Sequence, residues 1–236
     1  MVGTLINVGT VLAGTAIGMS VGGRLPARVQ QRVLAGLGMI TLVIGVDLAL
    51  AWGGEGTSTS TPLYVLGGVL LGGLLGEAVG IERGLERLGD AVQRRLAGAD
   101  GRSTVSEGFV TASLLFCVGS LTVVGSIQDG LTGEYQTLAT KAVLDGFAAV
   151  ALAATLGWGV GLAAVTVLVV QGGLTLAAGV FADVLVGETL AVLTSAGGVT
   201  IVGIALKLLD LKDVKVGNFL PALVIAPALV ELVALV

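Results

Sequence analysis

The stretch FCVGSLTVVGSIQDGLTGEYQTLATKAVLDG, residues 116–146, decides how the rest of the chain is organised. It lies mid-chain and concentrates polar side chains within segments that are otherwise apolar enough to enter a bilayer. Three hydrophobic segments precede it and three follow it. The two flanking sets share the order of a few polar and small residues, which is the pattern of an inverted-repeat membrane protein.

The composition assigns the chain to the integral membrane proteins. Hydrophobic residues make up 55% and charged residues 12% of the 236 residues, and the mean hydropathy is +1.02. Soluble domains are far less apolar. The 39 glycines have no collagen period and suit helices that pack closely in lipid. The net charge of -4 comes without a basic face, so we expect no nucleic-acid partner.

The reactive residues exclude several kinds of site. A single cysteine, Cys117, and the absence of histidine exclude an intramolecular disulfide, a His-based zinc site and Ser-His or Cys-His catalysis. No P-loop motif occurs. The Asp-Gly pairs at 129 and 145 lack phosphatidyltransferase spacing, and IGVD at 44–47 lacks the second glycine of an aspartyl protease motif. We therefore expect no enzyme activity and no cofactor, and we assign no metal ligands.

Segments of about 20 apolar residues are long enough to cross ~30 Å of hydrocarbon. Eight such spans fit the sequence, at about residues 2–22, 33–52, 62–81, 108–127, 138–156, 160–182, 188–207 and 217–236. The expected fold is an all-α integral membrane protein with about eight transmembrane helices, forming a single membrane domain over residues 1–236.

Two connections between spans have an amphipathic pattern. In residues 81–96, apolar side chains at 81, 85, 88, 92 and 96 follow a helical period and alternate with arginines. This predicts a helix over about 81–97 on the cytoplasmic membrane surface. Residues 24–32 suit a shorter helix in the interface.

The basic residues set the orientation. Eleven of the twelve lie in the connections after spans 1, 3 and 7, which share one side if eight spans alternate, and Lys141 is the exception. The positive-inside rule makes that side the cytoplasm. Both termini are therefore predicted to lie outside the cytoplasmic, or inner, membrane of a bacterium.

The sequence of spans 1–3, at about residues 1–81, resembles that of spans 6–8, at about residues 160–236. Spans 4 and 5, at about residues 108–156, lie between these two repeats. The matched positions are Asn7 with Gln171, Gly38 with Gly197, Thr41 with Thr200, Gly67 with Pro221, Gly73 with Pro227 and Glu77 with Glu231. The alternating topology makes the two halves inverted, which predicts a pseudo-two-fold axis in the membrane plane.

Several motifs together resemble a known family. They are GTLIN at 3–7, GRLPARVQQRV at 23–33, FCVGSLTVVGSIQDGL at 116–131, KAVLDG at 141–146, VQGGLTLAA at 170–178 and NFLPAL at 218–223. The chain resembles, over nearly its whole length, the bacterial membrane proteins of the domain of unknown function 554 family. The resemblance implies a polytopic inner-membrane protein without a known activity, of a kind that is described in some cases as a transporter.

Charged residues within the spans are candidates for function. A charge at the membrane centre costs about 3 kcal/mol on insertion scales, so such groups face a cavity or a partner. Lys141 and Asp145 are four residues apart on span 5 and can pair. One interpretation is a structural ion pair. The other is that the pair lines a solute route, where Asp145 exchanges Lys141 for a cation or proton.

Other polar residues extend this candidate site. On span 4, Ser120, Ser126, Gln128 and Asp129 lie among glycines 119, 125 and 130, and these glycines favour a helix break whose freed backbone groups could bind a solute. The alternative is close packing followed by an ordinary loop. Asn7 and Gln171 are either solute ligands or partners in an interhelical hydrogen bond. Glu77 and Glu231, at matched repeat positions, are candidates for a gate or coupling site.

The sequence thus predicts a gradient-driven transporter of a small solute or ion. The alternative is a structural or partner-binding membrane protein without transport activity. The expected partners are the lipid bilayer and the solute, and assembly into a homo-oligomer is left open.

Overall fold

A computed structural model describes residues 1–22, 26–54, 56–84, 87, 104–117 and 120–234. Every regular element in these ranges is helical, so the all-α class is confirmed. The α-helices are α1 Val2–Gly22, α2 Ala27–Ala49, α3 Thr61–Val79, α4 Thr104–Cys117, α5 Ser120–Leu131, α6 Gln136–Leu156, α7 Gly159–Leu176, α8 Ala178–Val184, α9 Gly187–Leu208 and α10 Ala222–Ala234. Two 3₁₀-helices occupy Leu50–Gly53 and Val216–Phe219.

The predicted number of spans agrees with these helices. Within the described ranges, seven helices are long and apolar enough to cross a membrane, and α4 with α5 makes an eighth span that bends by 61°. The first seven lie at Val2–Gly22, Gln31–Gly53, Thr61–Val79, Gln136–Leu156, Gly159–Leu176, Gly187–Leu208 and Val216–Val233. The predicted boundaries lie within four residues of these, except at the end of span 6. That span was predicted to end at 182, whereas α7 ends at Leu176 and α8 follows as a separate helix. Residues 235 and 236 of predicted span 8 lie outside the described residues.

The helices form two compact units. The first comprises Met1–Leu37, Arg83–Cys117 and Leu121–Gly179, and the second comprises Gly38–Glu82, Val118–Ser120 and Val180–Val236. The prediction of a single membrane domain over residues 1–236 stays a prediction.

In the first unit, α1 packs along α6 through its glycines. Gly14 faces Ala149, and Gly18 faces Ala153 further along, so the two helices run parallel. A methyl group on Gly18 would lie 2.9 Å from the Ala153 Cβ. This distance is shorter than a van der Waals contact, so the helix backbones are close because the side chains are small.

Helix α7 lies beside both α1 and α4 in the first unit. Thr15 of α1 is next to Gly161, and Thr4 is next to Gly172, which makes α1 and α7 antiparallel. The Ser113 hydroxyl of α4 hydrogen bonds to the Thr166 hydroxyl at 3.0 Å. Leu138 and Leu152 of α6 are among the largest side chains in the buried core of this unit.

The second unit is built from two antiparallel helix pairs. In the pair of α3 and α10, Gly68 faces Ala226 and Gly72 faces Ala222. In the pair of residues 38–49 of α2 with α9, Gly45 faces Val202, and Gly198 faces Ala49. A small buried core of Val65, Val192, Ala196 and Ala226 joins α3, α9 and α10.

The two predicted interfacial helices have different outcomes. The segment at residues 24–32 is not a separate helix, because α2 runs without interruption from Ala27 to Ala49. Its start directly after Pro26 fits the preference of proline for helix beginnings. Of the predicted helix at 81–97, residues 81–84 and 87 are helical, and the others lie outside the described residues.

Candidate functional site

A buried ion pair on α6 is the starting point of the candidate site. Lys141 and Asp145 are one helical turn apart, so their side chains lie on the same face and form an ion pair. The side chains are 7% and 9% exposed, respectively. The pair predicted from the spacing is therefore present, and it is held away from the surface of the protein.

Side-chain amides from two other helices complete the surroundings of Asp145. The Asn7 Nδ2 of α1 donates hydrogen bonds to Asp145 Oδ2 at 2.9 Å and to Gln171 Oε1 of α7 at 3.0 Å. Gln171 Nε2 in turn donates to the Thr4 hydroxyl at 3.4 Å. Both amide residues are fully buried. The residues that the sequence matched across its two halves thus bond to each other.

The fourth span supplies a backbone acceptor to the same pair. The described part of α4 ends at Cys117, α5 begins at Ser120, and the axes of the two helices differ by 61°. The last carbonyls of a helix have no partner within it. The Lys141 Nζ donates to one of them, the Phe116 carbonyl oxygen, at 2.6 Å, and the Thr122 hydroxyl donates to the same oxygen at 3.3 Å.

We call Thr4, Asn7, Lys141, Asp145, Gln171 and the Phe116 carbonyl the polar cluster. Asn7, Lys141 and Gln171 each lie five residues from one end of α1, α6 and α7, respectively. At ~1.5 Å per residue, this is a depth of about 7.5 Å. Because α1 and α6 are parallel and α7 is antiparallel to α1, these three ends are on one side. The cluster therefore lies about one and a half helical turns from this end of the three helices.

Two buried polar atoms in the first unit have no hydrogen-bond partner among the described residues. They are Asn7 Oδ1 and the Ser126 hydroxyl on α5. A buried polar atom without a partner costs about 1–3 kcal/mol. Each of these atoms is available to a ligand or to water, and Asn7 Oδ1 belongs to the polar cluster itself.

Three predicted site residues on span 4 lie elsewhere or are not described. Gln128 Oε1 accepts a hydrogen bond from the Thr137 hydroxyl at 2.8 Å. Asp129 forms an ion pair with the amino group of Met1 at 2.8 Å and accepts from Gly3 N at 3.1 Å. The side chain of Ser120 lies outside the part of the structure that is described.

The predicted gate residues Glu77 and Glu231 belong to the second unit. Glu77 accepts a hydrogen bond from the side-chain amide of Asn218. Glu231 accepts one from the Thr189 hydroxyl at 2.7 Å. Each glutamate is thus hydrogen bonded to a neighbouring element. Both are also exposed on the surface of the protein.

Comparison with protein-family models shows which family the chain belongs to. A model described as "Protein of unknown function (DUF554)" matches residues 2–231. The chain belongs to the DUF554 family. The resemblance found in the sequence motifs is thereby confirmed.

Two relatives align with the chain over nearly their whole lengths. The "Uncharacterized membrane protein YdfK" of Bacillus subtilis (strain 168) is 29% identical over 230 residues, covering 98% of this chain and 96% of the relative. The "Uncharacterized protein YqgA" of Escherichia coli (strain K12) is 28% identical over 229 residues, covering 96% and 94%. No solved structure matches the chain significantly. The family relationship establishes a membrane protein and leaves its activity open.

The sequence did not predict every member of the polar cluster. The Phe116 carbonyl is a backbone atom, and its role depends on where the helix breaks. Thr4 lies one helical turn before Asn7, and this spacing was a usable signal for a shared face. In the second unit, buried Glu82 accepts from Gly217 N at 2.6 Å, and its own amide donates to Asn218 Oδ1 at 2.8 Å.

The described residues contain no group of three or more His, Cys, Asp or Glu side chains that could hold a metal ion. The chemistry of the polar cluster is accordingly that of one ammonium, one carboxylate, two amides, one hydroxyl and one carbonyl. Such a set can bind and release a polar solute, and it contains no activated nucleophile.

Proposed function

We propose that this protein is a gradient-driven transporter of a small solute or ion, and that the polar cluster is its binding site. The observation that carries the proposal is the Lys141–Asp145 pair, buried in a membrane-spanning helix and bonded to the carbonyl at the break in span 4. Ionisable residues inside membrane spans commonly belong to substrate or ion pathways. Interrupted helices at such positions supply backbone groups to a solute.

Energetics favour a functional role for the pair over a structural one. Replacing a buried ion pair by well-packed apolar residues is often neutral or stabilising by about 1–4 kcal/mol. A purely structural role therefore gives little reason for two charges at this depth. The partnerless Asn7 Oδ1 adds a further cost, which a bound solute would remove.

An inverted repeat around spans 4 and 5 is part of the proposal. The helix pairs matched by sequence, α1 with α7, α2 with α9 and α3 with α10, each pack antiparallel within their own unit. Matching Gly67 with Pro221 relates Gly68 to Ala222 and Gly72 to Ala226. A two-fold axis that exchanges the matched residues would turn the contact between Gly68 and Ala226 into a contact between Ala222 and Gly72. Both contacts are present, which supports a local two-fold relation between α3 and α10.

Glu77 and Glu231 take part as gating or coupling residues in this proposal. They occupy matched positions, and each accepts a hydrogen bond from a neighbouring element, Asn218 in one case and Thr189 in the other. Hydrogen bonds of this kind can be exchanged when helices move. The supporting observation is that both carboxylates are exposed while their donors are buried.

The alternative is a structural or partner-binding membrane protein. The observation that favours it is the local satisfaction of the pair, since Asn7 bonds to Asp145 and the Phe116 carbonyl accepts from Lys141. In that case the site would be closed to water on both sides of the membrane. Accessibility therefore separates the two functions without knowledge of the solute.

The proposed location is the bacterial inner membrane, with both termini outside, because eleven of the twelve basic residues fall on one side of the alternating spans. Single cysteines in a Cys117→Ala background test the orientation and the site together. Cysteines at residues 57–60 or 132 should react with an impermeant thiol reagent from outside, and those at 100–103 from the cytoplasm. Labelling of residue 100 from outside would contradict the orientation.

The same experiment tests the binding site. Thr4→Cys, within the polar cluster, should react with a small cationic thiol reagent added on one side, because a transport site opens to water during its cycle. The matched control is Ala149→Cys, which is equally buried but lies in the contact between α1 and α6. If Thr4→Cys were as unreactive as this control from both sides, the structural alternative would be favoured.

A further inference from the structure

The ammonium group of Lys141 shows which chemistry the polar cluster accommodates. It donates to the Phe116 carbonyl at 2.6 Å and pairs with the Asp145 carboxylate. Both partners are oxygen acceptors within a buried environment. The side chain therefore acts as a tethered alkylammonium ion that already occupies the centre of the cluster.

The charges around this position disfavour an anionic ligand. On α6 the neighbouring charge is Asp145. On α5, Asp129 is engaged by the Met1 amino group. The described residues of α1 and α7 contribute amides and a hydroxyl. An anion beside Lys141 would thus face a carboxylate and a carbonyl oxygen, whereas a hydrogen-bond donor would be attracted to both.

Asn7 supplies a third acceptor without a partner. Its Nδ2 donates to Asp145 Oδ2 and Gln171 Oε1, and turning the amide around would place an oxygen against the carboxylate. The orientation is therefore fixed by the two acceptors. Asn7 Oδ1 remains without a donor among the described residues. A ligand that carries N–H groups would satisfy it.

The small number of acceptors distinguishes an ammonium group from a hard metal ion. Ca²⁺ and Mg²⁺ take about six or more oxygen ligands. The polar cluster has Asp145, the Phe116 carbonyl and Asn7 Oδ1, and the described residues hold no cluster of acidic side chains. Two of these acceptors, Asp145 and the Phe116 carbonyl, already hold the Lys141 ammonium, so an alkylammonium group needs far fewer ligands than either metal ion.

We infer that the solute of this site carries a primary ammonium group, which takes the place of the Lys141 ammonium between Asp145 and the Phe116 carbonyl. The inference rests on the proposed function and specifies its substrate class. Lys141 is then the resident occupant of the site, which the solute displaces. Keeping the cluster filled by Lys141 avoids an unpaired Asp145 charge when no solute is bound.

Chemical rescue tests the inference on the purified full-length protein. Lys141→Ala removes the resident ammonium, and propylammonium chloride at about five times its dissociation constant should raise the Tm of this variant by about 2–4 °C. Tetramethylammonium chloride has the same charge without N–H donors, and sodium chloride controls for ionic strength. Neither should stabilise the variant. The exposed Lys212→Ala serves as the matched control, with no response to propylammonium.

The double variant Lys141→Ala/Asp145→Asn should lose the response to propylammonium. An equal response to tetramethylammonium or sodium, or a response that survives in the double variant, would overturn the inference. If Lys141→Ala does not fold, uptake of radiolabelled methylammonium by wild-type proteoliposomes replaces the assay. Propylammonium should then compete and tetramethylammonium should not, and an absence of uptake would overturn the inference.

The results separate this inference from the proposed function. Rescue by propylammonium without methylammonium uptake would support the ligand class and count against transport. Uptake of some other solute without any rescue would overturn the ligand class and leave the transport function in place.

Discussion

Lys141→Met alone is expected to lower the free energy of unfolding by about 3 kcal/mol or more, because it leaves the Asp145 charge buried without its ion-pair partner. Asp145→Asn should cost a similar amount, since the amide keeps the shape of the side chain and removes the charge that balances Lys141. The side chains are 7% and 9% exposed, so solvent screening compensates little of this loss.

The double variant Lys141→Met/Asp145→Asn should recover most of this stability, because neither charge remains. A thermodynamic cycle of the four proteins, measured by thermal or denaturant unfolding in one detergent, gives the coupling energy of the pair. The expected coupling is about 3 kcal/mol. If the two single losses simply added up in the double variant, the pair would not be coupled, and the geometry of the cluster would be contradicted.

Gly18→Ala is expected to destabilise the first unit by about 1–3 kcal/mol through overpacking. A methyl group at this position would lie 2.9 Å from the Ala153 Cβ and 3.0 Å from the Ala154 backbone nitrogen. Backbone atoms cannot rotate away, so α1 and α6 must separate. The separation would also weaken the contact between Asn7 and Asp145, which depends on the same helix pair.

Gly9→Ala is the matched control for this effect. It makes the same substitution in the same helix, at a position where the added methyl group meets nothing within 4 Å. The higher helix propensity of alanine predicts no loss of stability and a gain of up to about 1 kcal/mol. Thermal unfolding of both variants in one detergent checks the prediction. Equal stabilities for Gly18→Ala and Gly9→Ala would show that the close contact between α1 and α6 is absent.

The spans could be predicted from the sequence because the length of an apolar segment is fixed by the thickness of the bilayer. The first span was predicted at residues 2–22, and α1 is Val2–Gly22. The pairing of Lys141 with Asp145 could also be predicted from the sequence, since a four-residue spacing places two side chains on one helix face. The family resemblance added independent support for the membrane class.

The remaining features depend on the packing of distant segments. Three glycines, at positions 119, 125 and 130, had the same weight in the sequence as residues that favour a helix break. In the structure, Gly125 and Gly130 lie inside α5 and pack against other helices. Gln128 and Thr137 meet across a turn, which removes Gln128 from the polar cluster. The contact between Lys141 and the Phe116 carbonyl involves a backbone atom, and side-chain patterns carry no information about it.

The binding-site proposal is tested most directly by solute flux through the neutral double variant. Wild-type protein and Lys141→Met/Asp145→Asn are reconstituted in liposomes, and fluxes of methylammonium, sodium, potassium, small organic acids and neutral polyols are compared with those of protein-free liposomes. We expect the wild type to carry at least one of these solutes, and the double variant to remain at the protein-free level although its stability is restored. Equal flux through both proteins, or no wild-type flux for any probe, would contradict the assignment of the polar cluster as a transport site.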